Sequence, residues 1–269
     1  MNKSLKYFCV LLLVIGLVAP GRVPAASDET SPLSGPLEIF LSRELAYDIS
    51  FLWFERLAEA RLRFLPAGQP KQFRAVLEAH TLGVAAWLTK DREQRYESLM
   101  TLGEDGRFHA ERYSSAIYKG RGSKRRGRTK TYHYDFAHKV VRISVDRGGV
   151  VTEGEPLAME EGPEPSDMLT TFINFMAGNY GTLQPGETLI VPTYAPKGFS
   201  DIEVTVLHPD QWLEGFPRGG TLCRVKVDQE VFDTGGGYVY AWFNDEMVPV
   251  IGMVEAVLGM GNVRGNLRP

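Results

Sequence analysis

The feature that most constrains the fold of this chain is an alternation of apolar and polar residues with a period of two. It is plain in the segments Leu45–Trp53, Ala58–Phe64 and Phe73–Ala79. Successive side chains of a β-strand point to opposite faces, so this period predicts strands with one apolar and one polar face. Strands of this kind form antiparallel sheets that bury one face and expose the other to water.

Strand patterns recur along most of the remaining chain. They are Gln94–Leu102, Arg107–Tyr118, Lys130–Phe136, Val140–Val145, Leu189–Tyr194, Ile202–Leu207, Leu222–Val227 and Tyr238–Phe243. The apolar stretch Met247–Asn262 predicts one or two closing strands, whereas Thr81–Thr89 breaks the alternation and predicts a short helix or a covered crossover. The predicted fold is therefore mainly β, a strongly curved antiparallel sheet or half-open barrel.

One amphipathic helix is predicted at about residues 166–177. Pro165-Ser166-Asp167 supplies a cap and an acidic first turn. The apolar stripe of this helix consists of Met168, Phe172, Phe175 and Met176, with Leu169 and Ile173 beside it. A stripe of this width predicts a helix that covers one face of the sheet.

The first 25 residues have the three-part pattern of a cleavable signal peptide. Lys3 and Lys6 precede the apolar run Tyr7–Val18, and cleavage is expected near Ala25 or Ala26. The run is about a dozen residues long, too short for the roughly 20 that span a bilayer. We therefore expect export to the periplasm, with no transmembrane anchor after cleavage.

The two cysteines set the expectations for anchoring and redox chemistry. Cys9 lies near the start of the apolar run, so it leaves with the signal peptide and the mature chain carries no lipid anchor. Cys223 then remains alone and cannot form an internal disulfide. A buried, inert thiol is expected there.

Residues 26–36 are expected to form a flexible leader, and residues 37–269 one β-rich domain.

The densest charge feature is a run of basic residues interleaved with glycines. It contains Lys119, Arg121, Lys124, Arg125, Arg126, Arg128 and Lys130. Glycines and like charges disfavour a strand here and predict a loop at a hairpin tip. Arginine forks match phosphate geometry, so an anion site is a candidate function of this loop. A solvated loop without a ligand is the ordinary alternative. The candidate anion-binding residues are Arg121, Lys124, Arg125, Arg126 and Arg128.

A second candidate site is apolar. Under a curved sheet, the helix at about residues 166–177 could close a cavity for an apolar ligand, since methionine adapts to irregular apolar surfaces. The residues predicted to line it are Met168, Phe172, Phe175, Met176 and Trp242. The alternative is that these side chains are ordinary core.

No local motif predicts catalysis or metal binding. No two of the five histidines are spaced as H-x-x-x-H or H-x-H, and the G-x-S-x-G and S-x-x-K nucleophile motifs are missing. Loss of Lys3, Lys6 and Arg22 with the signal takes the formal net charge from −3 to about −6, which argues against nucleic-acid binding. We expect no enzyme activity, no cofactor and no metal, although a zinc site assembled from distant strands stays open.

The order of several landmarks resembles a known bacterial family. The landmarks are the opening strand Glu44–Ser50, the strand Ala58–Leu62, the hairpin of Tyr134-Asp135-Phe136 with Val140-Val141-Arg142, the Ser-Asp helix start, the strand after Pro185-Gly186-Glu187, and Tyr240-Ala241-Trp242 followed by Val248-Pro249-Val250. Taken in this order, the landmarks make the chain from about Leu37 to the end resemble the bacterial family called domain of unknown function 3108. The basic run Arg121–Arg128 departs from that pattern.

The resemblance implies an exported, β-rich envelope protein and brings no catalytic residues with it. By analogy alone, the architecture is similar to the half-open barrels of periplasmic lipoprotein carriers. The function predicted is non-catalytic binding of an apolar or anionic envelope component, such as a lipid or an anionic glycan, or of an envelope protein. The alternatives are a structural or scaffolding envelope protein and a cell-envelope hydrolase.

Overall fold

Fifteen antiparallel strands form one sheet in the part of the chain that the structure describes. The structure is a computed structural model, and it describes residues 33, 36–41, 43–159, 161, 164, 166–195, 198–226, 238–257 and 261–269. The predicted signal peptide with Cys9, its cleavage point near Ala25 or Ala26, and most of the leader at 26–36 lie outside these residues. No helix among the described residues is long and apolar enough to cross a membrane.

The first half of the fold contains two short helices and eight strands. In chain order these are α1 (Pro36–Leu41), β1 (Leu45–Phe51), β2 (Phe54–Pro66), β3 (Gln72–Thr81), α2 (Gly83–Thr89), β4 (Glu93–Leu102), β5 (Phe108–Lys119), β6 (Arg126–Asp135), β7 (Val140–Arg147) and β8 (Val150–Glu153). The second half contains β9 (Leu157–Ala158), α3 (Met168–Met176), β10 (Thr188–Ala195), β11 (Gly198–Val206), β12 (Thr221–Lys226), β13 (Val239–Phe243), β14 (Pro249–Val257) and β15 (Gly261–Leu267).

The sheet consists of two meanders joined through its first and last strands. Strands β1–β8 each pair with the next in sequence, as do β10–β15, and β9 pairs with β7. β15 pairs with β1, where Tyr47 lies opposite Leu267. The order of the sheet therefore ends at β10 on one side and β8 on the other, and the sheet is open. The mainly β, antiparallel fold predicted from the period of two is confirmed.

The core lies on the inner face of the sheet, the face that carries Tyr47 and Ile49. Both side chains are fully buried, and the inner residues of nearly every strand join them in one apolar cluster. Helix α3 lies on this face and contacts β3, β4 and β5 as well as β10. Because α3 touches strands from both halves of the sheet order, the sheet curves around the helix.

Buried polar groups hold α3 in place. Asp167 caps the helix by accepting hydrogen bonds from the backbone N–H groups of Leu169 and Thr170, at 2.9 and 3.0 Å. Further along, the Asn174 side chain bonds both the N–H and the C=O of Phe108 in β5 at 2.8 Å. The cap predicted at Pro165-Ser166-Asp167 is thus confirmed for Asp167.

The predicted loop across the basic run is wrong for its last residues. Arg126, Gly127 and Arg128 belong to β6, where they pair with Lys119, Tyr118 and Ile117 of β5. The ring of Tyr118 lies over Gly127 so closely that a Cβ there would be 2.4 Å from it. Cross-strand pairing and this aromatic cover outweigh the low strand propensity of the local sequence.

Candidate functional site

The outer face of β1–β4 is covered by a ladder of ion pairs that extends to Arg112 in β5. Glu59 of β2 is its most buried acid, with 7% of its surface exposed. It contacts Arg56 at 2.5 Å, His80 at 2.9 Å, and Arg268 near the chain end. Arg268 also bonds Asp48 of β1, at 2.7 Å. The ladder therefore ties the end of the chain to the first two strands.

These contacts keep Glu59 ionised. Burial by itself raises the pKa of a carboxyl group. Hydrogen bonds from Arg268 and Arg56, with the charges of His80 and Arg268, outweigh burial and lower the pKa of Glu59 to about 2. The ladder is thus a stabilising device, and it fixes the arginines of the neighbouring strands in position.

At one end of the ladder an open cleft of about 500 Å³ lies between β2–β5 and the basic run. Its charged lining comes from sequence-distant segments. The cationic residues are Arg61, Arg92, Arg95, Arg121 and Arg125, and the acidic residues are Glu78, Asp91 and Glu93; His80 and Tyr118 complete the polar wall. Among the described lining residues five arginines face three carboxylates, so this lining carries an excess of positive charge.

The start of the basic run is held against the turn that follows α2. The Gly120 N–H donates to the Lys90 carbonyl at 2.6 Å, and Arg121 pairs with Asp91 at 2.6 Å. Arg125 pairs with Glu93 at 2.5 Å and lies 4.2 Å from the centre of the Tyr118 ring. Gly120 has a φ of +83°, and a Cβ there would lie 2.7 Å from the Lys124 carbonyl oxygen, so the bend requires glycine.

The structure brings together two of the five residues predicted to bind an anion. Arg121 and Arg125 line the cleft. Lys124 is exposed beyond it, and Arg126 donates to the carbonyls of Ser123 and Arg125. Arg128 follows Gly127 along β6 and therefore points to the opposite face from the Tyr118 ring.

Arg128 has a cationic neighbour on its own face. Lys130 is two residues further along β6, with its amine 4.6 Å from the centre of the Tyr132 ring. Burial, with a smaller effect from the charge of Arg128, lowers the pKa of Lys130. The basic run is thus divided between the two faces of the sheet, and only part of it reaches the cleft.

Sequence reasoning missed the other three arginines of the cleft. Arg61 is on β2, Arg95 is on β4, and Arg92 precedes β4. In the sequence Arg61 and Arg95 are ordinary polar members of alternating strands. Strand pairing sets Arg61 opposite Glu78 and Glu78 opposite Arg95, and that register places them in one site.

The residues predicted to line an apolar site are divided between two clusters. Leu169, Ile173 and Met176 are the most buried apolar residues of α3 and pack into the main core. Met168, Phe172 and Phe175 are half-buried at its border, and Phe175 lies 5.8 Å from Phe243, measured between ring centres.

Trp242 packs on the opposite face of the sheet from α3. It belongs to a second cluster with Leu222, Tyr240 and Ile251 and donates from its ring N–H to the Gly219 carbonyl at 3.0 Å. Since neighbouring residues of β13 point to opposite faces, Trp242 does not join Phe243 and the helix. The structure therefore does not bring the five predicted apolar residues into one site.

The other chemistry-bearing groups lie singly or in small surface clusters, such as His109 with Glu164 at 2.6 Å and Asp105 at 3.3 Å. Among the described residues, no group of three or more His, Cys, Asp and Glu side chains is arranged to hold a metal ion. His138 bonds Asp135 at 2.8 Å on the exposed surface. Cys223 is buried, as expected, and burial raises the pKa of its thiol to about 12. A thiol with this pKa is not a nucleophile at neutral pH.

Comparison with known proteins gives one family and one distant structural neighbour. The family model described as "Protein of unknown function (DUF3108)" matches residues 46–268. The chain is also similar to the crystal structure of a β-barrel-like protein of domain of unknown function DUF1849 from Brucella abortus. That likeness has 10% identity, a TM-score of 0.38, and covers 84% of this chain and 95% of the other. No curated protein matches the chain.

Proposed function

Because this chain belongs to the DUF3108 family of proteins of unknown function, we propose its function from geometry: it is an exported, non-catalytic protein that binds a phosphate-bearing anionic component of the cell envelope. One observation supports the proposal: five arginines line the same cleft. Two come from the basic run and three from elsewhere in the chain, namely Arg121 and Arg125, and Arg61, Arg92 and Arg95.

The ion pairs in the cleft are suited to exchange with a ligand. Arg121 is 81% exposed while it contacts Asp91, and Arg125 is 46% exposed while it contacts Glu93. Exposed pairs of this kind contribute only about 0 to 1 kcal/mol, so an incoming phosphate can replace the carboxylates at small cost. Guanidinium groups bind phosphate through two parallel hydrogen bonds, as they bind a carboxylate, so a phosphate can take the place of Asp91 or Glu93 without a change of geometry.

The packing of α3 favours an anionic ligand over an apolar one. Leu169, Ile173 and Met176 fill the space between the helix and the sheet. An apolar ligand would have to displace these side chains, whereas an anion can enter the open cleft without moving the core. A scaffolding protein, for which the cleft would be ordinary surface, is the outcome if no anion binds.

Anion binding is expected to depend on the two arginines of the basic run. We expect the Arg121→Ala/Arg125→Ala double variant to bind inorganic pyrophosphate or glycerol phosphate at least about tenfold more weakly than the wild type, since a hydrogen bond to a charged group contributes about 1.5 to 3 kcal/mol. Isothermal titration calorimetry measures the affinity. Arg43→Ala, an exposed arginine outside the cleft, is the matched control.

Two results would count against the cleft as an anion site. The first is absence of any binding heat for the wild type with either phosphate compound at low ionic strength. The second is equal affinity of the double variant and the Arg43→Ala control, which would place binding elsewhere on the surface. Added salt should weaken binding, because the attraction between exposed charges is screened.

Export is the part of the proposal that rests on the first residues. Lys3 and Lys6, followed by the apolar run Tyr7–Val18, support secretion with cleavage near Ala25 or Ala26. When the chain is expressed in a Gram-negative host, we expect it in the periplasmic fraction, with an intact mass that lacks residues 1–25 or 1–26. Recovery from the cytoplasmic fraction at the mass of all 269 residues would contradict export.

A further inference from the structure

Large apolar side chains are exposed together at one end of the sheet. Trp53 in the β1–β2 turn is 77% exposed, and Trp87 in α2 is 78% exposed. Leu88 and Val84 of α2 are also mostly exposed. In α2, only Ala86 is buried. Large apolar side chains that are exposed at one place on a protein surface mark an interaction site.

The topology places these side chains and the basic run at the same end. Leu52 and Trp53 connect β1 to β2, α2 connects β3 to β4, and the basic run connects β5 to β6. In an antiparallel meander these alternate connections all lie along one edge of strand ends. A third apolar connection, the β7–β8 hairpin, adds the exposed Val150 and Val151 to the same end.

Backbone hydrogen bonds and an ion pair join the apolar and basic parts. The Leu82 N–H, just before α2, donates to the Leu57 carbonyl of β2 at 2.8 Å. Just after α2, the Lys90 carbonyl accepts from Gly120 and Asp91 pairs with Arg121. Helix α2 is therefore held between the hairpin that bears Trp53 and the basic run.

We propose that this end of the sheet docks onto the surface of an anionic lipid bilayer. Trp53, Trp87 and Leu88 enter the interface, where the amphipathic ring of tryptophan is stable. Lys124 and Arg126, which lie outside the cleft, contact the lipid phosphates. Basic residues close to an anionic surface strengthen binding to it. The inference does not depend on what the cleft binds.

The composition of this end favours a bilayer over a protein partner. The fully buried centre of a protein interface is depleted of charged residues. Here one basic connection lies between apolar connections along a single row of strand ends. Segments that bind the membrane interface combine basic and apolar residues in the same way. The row is also built from connections of different strands, so several apolar side chains can enter the lipid at a similar depth.

Vesicle flotation tests the proposal. We expect the wild type to float with vesicles of phosphatidylcholine and phosphatidylglycerol, and to bind pure phosphatidylcholine more weakly. The Trp53→Ala/Trp87→Ala double variant should bind the mixed vesicles at least about tenfold more weakly, given the apolar area removed. The matched control is Ile190→Ala, an exposed apolar residue of β10 outside this end. All variants must share one N-terminus, verified by mass, so that residues 1–25 contribute equally.

Tryptophan fluorescence provides a second readout at the residues concerned. The chain has four tryptophans, and Trp212 and Trp242 are already packed with bonded ring N–H groups. A blue shift on adding mixed vesicles therefore reports Trp53 and Trp87 entering the lipid.

Three outcomes would overturn the docking proposal. They are absence of flotation, an unchanged emission spectrum, and equal binding of the double tryptophan variant and the Ile190→Ala control. Binding to a protein partner through this end, without binding to vesicles, would overturn it as well. Phosphate binding measured by calorimetry is a separate result, so failure of docking and failure of the cleft are distinguishable.

Discussion

Replacing Asp167 with alanine should lower the free energy of unfolding by about 3 to 5 kcal/mol. Asp167 is completely buried and caps α3 through two backbone N–H groups. Its other oxygen accepts from the hydroxyls of Ser98 at 2.7 Å and Thr170 at 2.8 Å. Alanine removes the cap and leaves two buried hydroxyls without this acceptor, so the helix loses one of its two hydrogen-bonded links to Ser98 of β4.

Urea denaturation followed by circular dichroism measures this loss. Asp245→Ala, in an exposed turn, is the control and should stay within about 0.5 kcal/mol of the wild type. A variant of Asp167 as stable as that control would show that the buried bonds do not hold α3.

The contribution of Asp167 to the free energy of unfolding changes with pH, and its raised pKa sets the direction of the change. Burial raises the pKa of Asp167 in the folded state, although the four hydrogen bonds oppose it. The folded protein therefore holds this proton more tightly than the unfolded chain. The contribution of Asp167 to stability is largest at low pH and decreases as the pH rises from the ordinary aspartate pKa towards the raised value.

The Glu59→Gln variant should lose about 3 kcal/mol of stability at neutral pH, since lowering the pKa from 4.5 to about 2 corresponds to that energy. The effect has the opposite pH dependence to that of Asp167. A lowered pKa gives stability that is present above the ordinary glutamate pKa. That stability is lost as the pH falls from 4.5 to about 2.

Denaturation at pH 7 and at acidic pH tests this prediction, with the acidic measurement made below the ordinary glutamate pKa. We expect the difference between wild type and Glu59→Gln to shrink at acidic pH, because the wild type then loses its own Glu59 charge. The control is Glu104→Gln, an exposed residue in the β4–β5 turn. A difference that stays constant with pH would mean that Arg268 and Arg56 do not act through the charge of Glu59.

The sequence predicted the strands well because the signal is local. Phe73–Ala79 and Gln94–Leu102 differ from β3 and β4 only at their ends. In each case the period of two reflects which face meets the core, and every residue of the strand contributes to it. The helix cap at Asp167 could be predicted equally well, since a capping side chain accepts hydrogen bonds from the N–H groups two and three residues later.

The orientation of α3 on the sheet could not be predicted from the sequence in the same way. A stripe of Met168, Phe172, Phe175 and Met176 and a neighbouring stripe of Leu169 and Ile173 are both apolar. The wide apolar surface allowed either to face the sheet. Packing against β3–β5 and β10 selected Leu169 and Ile173 together with Met176 of the first stripe. Asp167 and Asn174 fix this rotation of the helix through their bonds to Ser98 and Phe108.

Charge density identified only part of the cleft. Arg121 and Arg125 belong to a conspicuous basic run, whereas Arg61 and Arg95 are single residues in alternating strands. Their meeting depends on register, because a shift of one residue in either strand would turn the side chain to the opposite face. The same pairing drew Arg126 and Arg128 into β6, against their local propensity.

By itself the sequence determined that this protein is mainly β, that one capped helix covers the sheet, and that its first 25 residues have the pattern of an export signal. Those features depend on neighbours within a few positions, where sequence and structure are directly linked. The tertiary structure alone decided that five arginines share a cleft and that Trp53 and Trp87 lie at the same end of the sheet as the basic run. The proximity of residues that are distant in sequence depends on the register and order of paired strands, which are set by the packing of the whole sheet.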